Sequence, residues 1–132
     1  DKILLESFAF VSIFIGLLGK TRERNRFFDS RIMDAHDEVM PKMGKIRNLE
    51  KQCRSAALTS PDSTELIRQA DILSNANEAM MTWMRDFNSN FQGNDREKRE
   101  YLLAQKMEVY HVKKLMNESL LQGEKLVRSA VN

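Results

Sequence analysis

The sequence predicts an all-α fold: an up-down-up antiparallel three-helix bundle of long helices, the first kinked near Pro41, preceded by an N-terminal apolar segment. Three observations predict it. Five Gly and two Pro in 132 residues leave few turns. Lys, Glu, Leu, Met and Ala, all good helix formers, recur along the chain. After residue 20 the apolar residues return at intervals of three and four rather than alternating, which is the signature of helical stripes and not of strands. A charged fraction of 30% with 42% hydrophobic residues describes a folded chain. A net charge of only +2, with the signs interspersed, gives no basis for a nucleic-acid partner.

Residues 1–20 read as an address. Phe8 to Leu18 is uncharged, and from Ile3 onward only Glu6 interrupts the apolar run. That run is short for a membrane span of about 20 residues and ample for a signal-peptide core of about 7–15. The segment is expected to be a truncated secretory or lipoprotein signal peptide, or an uncleaved membrane anchor, placing the protein in the periplasm or cell envelope. The cluster Lys20, Arg22, Arg24 and Arg26 follows at once and suits lipid head groups, so membrane association through this segment is expected. The alternative is an N-terminal core helix. Residues 21–132 form the helical bundle domain.

The first helix is expected over Arg22–Ala57, with a seam of Ile32, His36, Val39, Met43, Ile46, Cys53 and Ala57, Leu49 standing in where Glu50 interrupts it. Pro41 removes a backbone donor within this stretch, so a kink is expected over Asp37–Pro41, eased by Gly44. Ser60-Pro61, or Asp62 with Glu65, starts the second helix, whose seam is Leu66, Ala70, Leu73, Ala76 or Asn77, Met80, Trp83 or Met84, and Phe87. After the turn-rich run Asn88–Asn94, Asn94 and Glu97 form a capping-box pattern for the third helix. Its seam is Leu102, Val109, Val112, Met116, Ser119, Gly123, Leu126 and Ala130, with Leu103, Met107 and Tyr110 expected to widen the stripe. Short connections make neighbouring helices antiparallel. Small seam residues such as Ala70, Ala76 and Gly123 predict close helix approach, and so thin a core makes a homodimer plausible.

The stretches Met33-Asp-Ala-His-Asp-Glu-Val-Met-Pro-Lys-Met-Gly44 and Asn77-Glu-Ala-Met-Met-Thr-Trp-Met-Arg85 resemble signature segments of small exported helical proteins and lipoproteins of Bacteroidota, often labelled "viral A-type inclusion protein". The resemblance covers most of residues 20–130. It implies an exported coiled-coil-like helical protein and no particular chemistry. The chain departs from the lipoprotein pattern in lacking a cysteine near Gly16–Gly19.

The candidate chemistry is sulfur-rich. Met33, His36, Met40 and Met43 recur at offsets that return to one side of a helix, and thioether with imidazole suits Cu(I). Met84 and the pair Met107/His111 are possible additional donors. The competing reading is core packing, the ordinary use of Met at seam spacing, with sulfur–aromatic contacts to Trp83, Phe87 and Tyr110. His36, Asp37 and Glu38 are adjacent, so their side chains are expected to diverge by about 100°. His111 is expected at the surface, and Cys53 as a buried inert thiol that allows no internal disulfide. Phosphate-loop, zincin, Cys-x-x-Cys and nucleophile-elbow motifs are all missing, so no catalytic residues and no cofactor are assigned. The expected function is a non-enzymatic structural or protein-interaction module of the cell envelope with an unknown protein partner, docking through Met81, Phe91 and Leu121. The alternative is a periplasmic Cu(I)-handling bundle.

Overall fold

The computed structural model describes the backbone of residues 2–131 and the side chains of residues 20 and 22–131. It contains four helices: α1 (Lys2–Val39), α2 (Lys42–Ala57), α3 (Ser63–Asp86) and α4 (Asp95–Val131). Among the described residues there is no strand. The helix expected to begin at Arg22 begins at Lys2, so α1 runs without a break through the boundary drawn at residue 20. The reading of residues 1–20 as a signal or anchor concerns side chains that, Lys20 apart, lie outside the described ones. Among the described residues, no helix is long and apolar enough to cross a membrane.

Pro41 does more than kink the first helix: it divides it. The ring removes the N–H that would bond the Asp37 carbonyl, and helical geometry stops at Val39. Met40 still donates to the His36 carbonyl at 3.0 Å, and Met43 reaches back only three residues, to the Met40 carbonyl, at 3.2 Å. The buried stripe keeps its phase across the break, passing from Ile32, Ala35 and Val39 to Met43, Ile46, Leu49 and Cys53. Gly44 plays no packing part, since a Cβ there would meet nothing within 4 Å.

Cross-helix bonds set the directions. Arg54 to Asp71 and Asn77 to the Met43 carbonyl make α2 and α3 antiparallel. Gln69 to the Ser119 carbonyl and Trp83 to Gln105 make α3 and α4 antiparallel. Lys113 to Glu38 and Lys42 to Asn117 make α4 parallel to α1 and α2. Backbone proximity pairs α1 with α4, and α2 with both α3 and α4; among the described residues no Cα of α1 lies within 8 Å of one in α3.

The core is the shared seam of these elements. Leu66, Ala70, Leu73, Ala76, Met80 and Trp83 from α3 meet Val109, Val112, Met116, Ser119 and Gly123 from α4 and the α1–α2 stripe. Gly123 is where helices come closest: a Cβ there would lie 2.6 Å from Leu49 Cδ2 and 3.2 Å from Leu73 Cδ1. The expected second row of α4 is wrong. Leu103, Met107 and Tyr110 are exposed, because nine residues make two and a half turns and set them opposite Val112, Met116 and Ser119.

The helix starts differ in quality. Asn94 Oδ1 accepts the Glu97 N–H at 2.8 Å, as the capping pattern predicts. α3 starts at Ser63, which puts Asp62 at the cap position as in the second of the two expected starts, and not at Pro61. Its cap position, Asp62, makes no side-chain cap bond, and the Asp62 N–H instead donates to Ser60 Oγ at 3.1 Å.

Candidate functional site

The end of α1 faces the last turn of α3 across a gap spanned by long side chains. His36 comes from the seam stripe of α1 and is half-buried; Met84 and Trp83 come from the corresponding stripe of α3. His36 Nε2 lies 3.2 Å from Met84 Sδ, and its Nδ1 lies 3.0 Å from the Asp37 carboxylate. The His36 and Trp83 ring centroids are 6.2 Å apart. Trp83 is anchored by its Nε1–H, which donates to Gln105 at 3.0 Å, and by stacking on Phe87 at 5.0 Å. The stack continues through Tyr101 to Phe91 and closes this end of the core. The Tyr101 hydroxyl accepts the Asn88 N–H at 2.7 Å.

This geometry revises the expected sulfur set. Met40, one turn beyond His36 at the helix break, is half-buried against the core. Met33 is 40% exposed and so turns toward solvent. Met43 is buried on α2, level with Asn77, and seven residues of α3 put that about 10 Å along the axis from Met84. Met107 and His111 are both exposed on α4. Seam spacing brings Met33, His36, Met40 and Met43 to one general side; burial separates them.

The expectation that His36, Asp37 and Glu38 diverge holds only for Glu38. Asp37, though largely exposed, turns back to His36. Glu38 crosses to α4, where Lys113 donates to it at 2.6 Å. That hydrogen bond holds the Glu38 carboxyl below its ordinary range, aided by the charges of Lys113 and Lys42 and opposed by partial desolvation. Lys113 also lies over the Tyr110 ring, and Lys106 bridges the rings of Tyr110 and Phe28. This cation–aromatic ladder links α1 to α4, and its cross-helix rung was invisible in the sequence because Phe28 lies 78 residues before Lys106.

Two further titratable groups are shifted by their surroundings. Burial pushes the Cys53 thiol up, so it stays protonated and poorly nucleophilic. Asp71 and Glu50 bind the Arg54 guanidinium and raise its proton affinity. Among the described residues no three His, Cys, Asp or Glu side chains gather in a metal-binding group. Beside the aromatic stack an open cleft of about 390 Å³ lies between α1 and the α3–α4 loop, bordered by Arg26, Asp29, Asn90 and Lys98. The docking residues suggested by the sequence are dispersed. Met81 and Leu121 are exposed, but Leu121 is level with the start of α3, about 20 Å along the axis from Met81, and Phe91 is stacked on Tyr101.

No family model matches the chain, and no curated protein or solved structure matches it either.

Proposed function

We propose that the protein is a non-enzymatic helical module of the cell envelope, tethered or exported through residues 1–20 and acting through the surfaces of its helices on a protein partner. The observation that carries the reading is the continuity of α1. The apolar run after Ile3, the basic cluster and the core residues Ile32, Ala35 and Val39 all belong to one helix. A bundle joined to a membrane segment without a flexible linker is held at a set height and tilt, which is useful to a spacer or docking element and of little use to a diffusing enzyme. Lys20, Arg22, Arg24 and Arg26 are all exposed, as contact with anionic head groups requires. The resemblance of Met33–Gly44 and Asn77–Arg85 to exported Bacteroidota proteins points the same way. The long up-down-up bundle, counting α1 and α2 as one broken rod, supplies the docking faces.

The test is flotation of the full chain with vesicles containing anionic lipid, beside a variant carrying Glu in place of Lys20, Arg22, Arg24 and Arg26. The full chain is expected to float with the vesicles and the variant to float more weakly, with a salt-sensitive difference. A full chain that stays with the soluble fraction at low salt would refute the reading.

A further inference from the structure

The His36–Met84 contact sets a ring nitrogen against a thioether sulfur. An ionised carboxylate only accepts hydrogen bonds, so Asp37 at 3.0 Å calls for the His36 ring proton on Nδ1. In the neutral ring, the form that binds a metal ion, Nε2 then carries a lone pair 3.2 Å from a thioether sulfur that has no proton to give, whereas the imidazolium would donate a weak hydrogen bond to the same sulfur. Two electron-pair donors in contact are complementary to an electrophile shared between them.

We propose that His36 Nε2 and Met84 Sδ are two ligands of a soft monovalent metal site between α1 and α3, selective for Cu(I). Imidazole with thioether matches that ion, whereas harder ions prefer the oxygen ligands that this junction does not turn inward. Asp37 is the outer-shell carboxylate that fixes the tautomer and aims the ring, the arrangement by which metal-bound histidines are ordinarily oriented. Metal–nitrogen and metal–sulfur bonds of about 2.0–2.3 Å fit between the donors with a small outward movement of the flexible Met84 side chain. Met40, four residues after His36 at the helix break and half-buried against the core, is the candidate third donor. Access is available because the His36 side chain is 21% exposed. The site differs from the set expected from sequence by losing Met33 and Met43 and keeping Met84, there an additional donor. It is independent of where in the cell the protein resides.

The experiment titrates the full chain anaerobically with Cu(I) buffered by a chromophoric chelator, and in parallel with Ag(I), while recording Trp83 emission and the His36 ring nitrogens by NMR. One equivalent is expected to leave the chelator, quench Trp83 and shift His36 Nε2 more than Nδ1. Met84→Leu and His36→Gln should each weaken binding at least tenfold, while Met81→Leu on the exposed side of α3 and Cys53→Ala leave it unchanged. The wild-type nitrogen shifts decide the matter even if a variant misfolds. The proposal is overturned if the chelator keeps the copper, if Cys53→Ala abolishes uptake, or if copper binds without moving His36 Nε2.

Discussion

Gly123 offers a test of the packing whose sign, not only its size, depends on one neighbour. Replacing Gly by Ala inside an exposed helix ordinarily stabilises by about 1 kcal/mol. Here the new methyl would sit 2.6 Å from Leu49 Cδ2 and 3.2 Å from Leu49 Cγ and Leu73 Cδ1. Leu49 is 5% exposed and Leu73 fully buried, so neither side chain can swing into solvent without surrendering core contacts. Overpacking of this kind costs about 1–3 kcal/mol, so Gly123→Ala is expected to lose about 1 kcal/mol net. Leu49→Ala alone should cost about 2–5 kcal/mol through its cavity. In the Leu49→Ala background the severe contact is gone and only the milder one with Leu73 Cδ1 remains, the methyl introduced at position 123 fills part of the hole, and the helix gain survives. The same Gly123→Ala change should therefore become stabilising there, with a coupling of about 1–3 kcal/mol. Urea unfolding of the four proteins by circular dichroism measures the cycle. Effects of Gly123→Ala that are equal in both backgrounds would refute the close approach of α2, α3 and α4 at this point.

Two further outcomes follow from individual contacts. Asn94→Ala removes the acceptor of the Glu97 N–H and should cost about 0.5–2 kcal/mol, with hydrogen exchange accelerated in the first turn of α4; unchanged exchange there would deny the cap. Glu38 has a lowered folded-state pKa, so its contribution is fully present above its ordinary value of 4.5 and is lost as pH falls through the lower native value. Glu38→Gln should therefore flatten the loss of stability on acidification below about pH 5 while leaving the alkaline side unchanged, a comparison made by thermal melts across pH.

The stripes were legible because burial demands them. Leu66, Ala70, Leu73, Met80, Val109, Val112 and Met116 must share one face of their helix if water is to be excluded, and that requirement is written in their spacing. Leu49 is legible in the same way: Glu50 is turned aside to bond Arg54, and the neighbouring leucine takes the core position. Periodicity does not say how wide a buried face is. That width depends on how the neighbouring helices are placed, and so Leu103, Met107 and Tyr110 were assigned to a face that lies open. Side-chain contacts that ignore helical period were equally hidden. Asp37 folds back along its own backbone to His36, and Glu38 reaches a lysine 75 residues later. Of the candidate site, His36 could be chosen from the sequence and Met84 named beside Met107 and His111 as a further donor, but which of these meets His36 could not, because the choice rests on how the helices are placed and rotated.

That choice has a structural origin in α3, which changes character along its length. Up to Ala76 it sets the small Ala70 and Ala76 among Leu66 and Leu73 in the core and faces α2, where Cys53 and Gly123 also keep the helices close. Its second half contributes Met80, Trp83, Met84 and Phe87 and faces the end of α1. The exchange of small for large coincides with the Met40–Pro41 break, beyond which the backbones of α1 and α3 stand more than 8 Å apart. Small residues cannot fill a gap of that width, and unbranched Met with a large aromatic ring can. A wide junction filled only by apolar groups would need no more explanation than packing. This one places an imidazole nitrogen against a sulfur and holds the ring from behind with a carboxylate, so packing accounts for the presence of Met84 there but not for that of His36. A leucine at position 36 would fill the same space without burying a polar edge, and it is on that excess polarity, located where the helices part, that the proposed site rests.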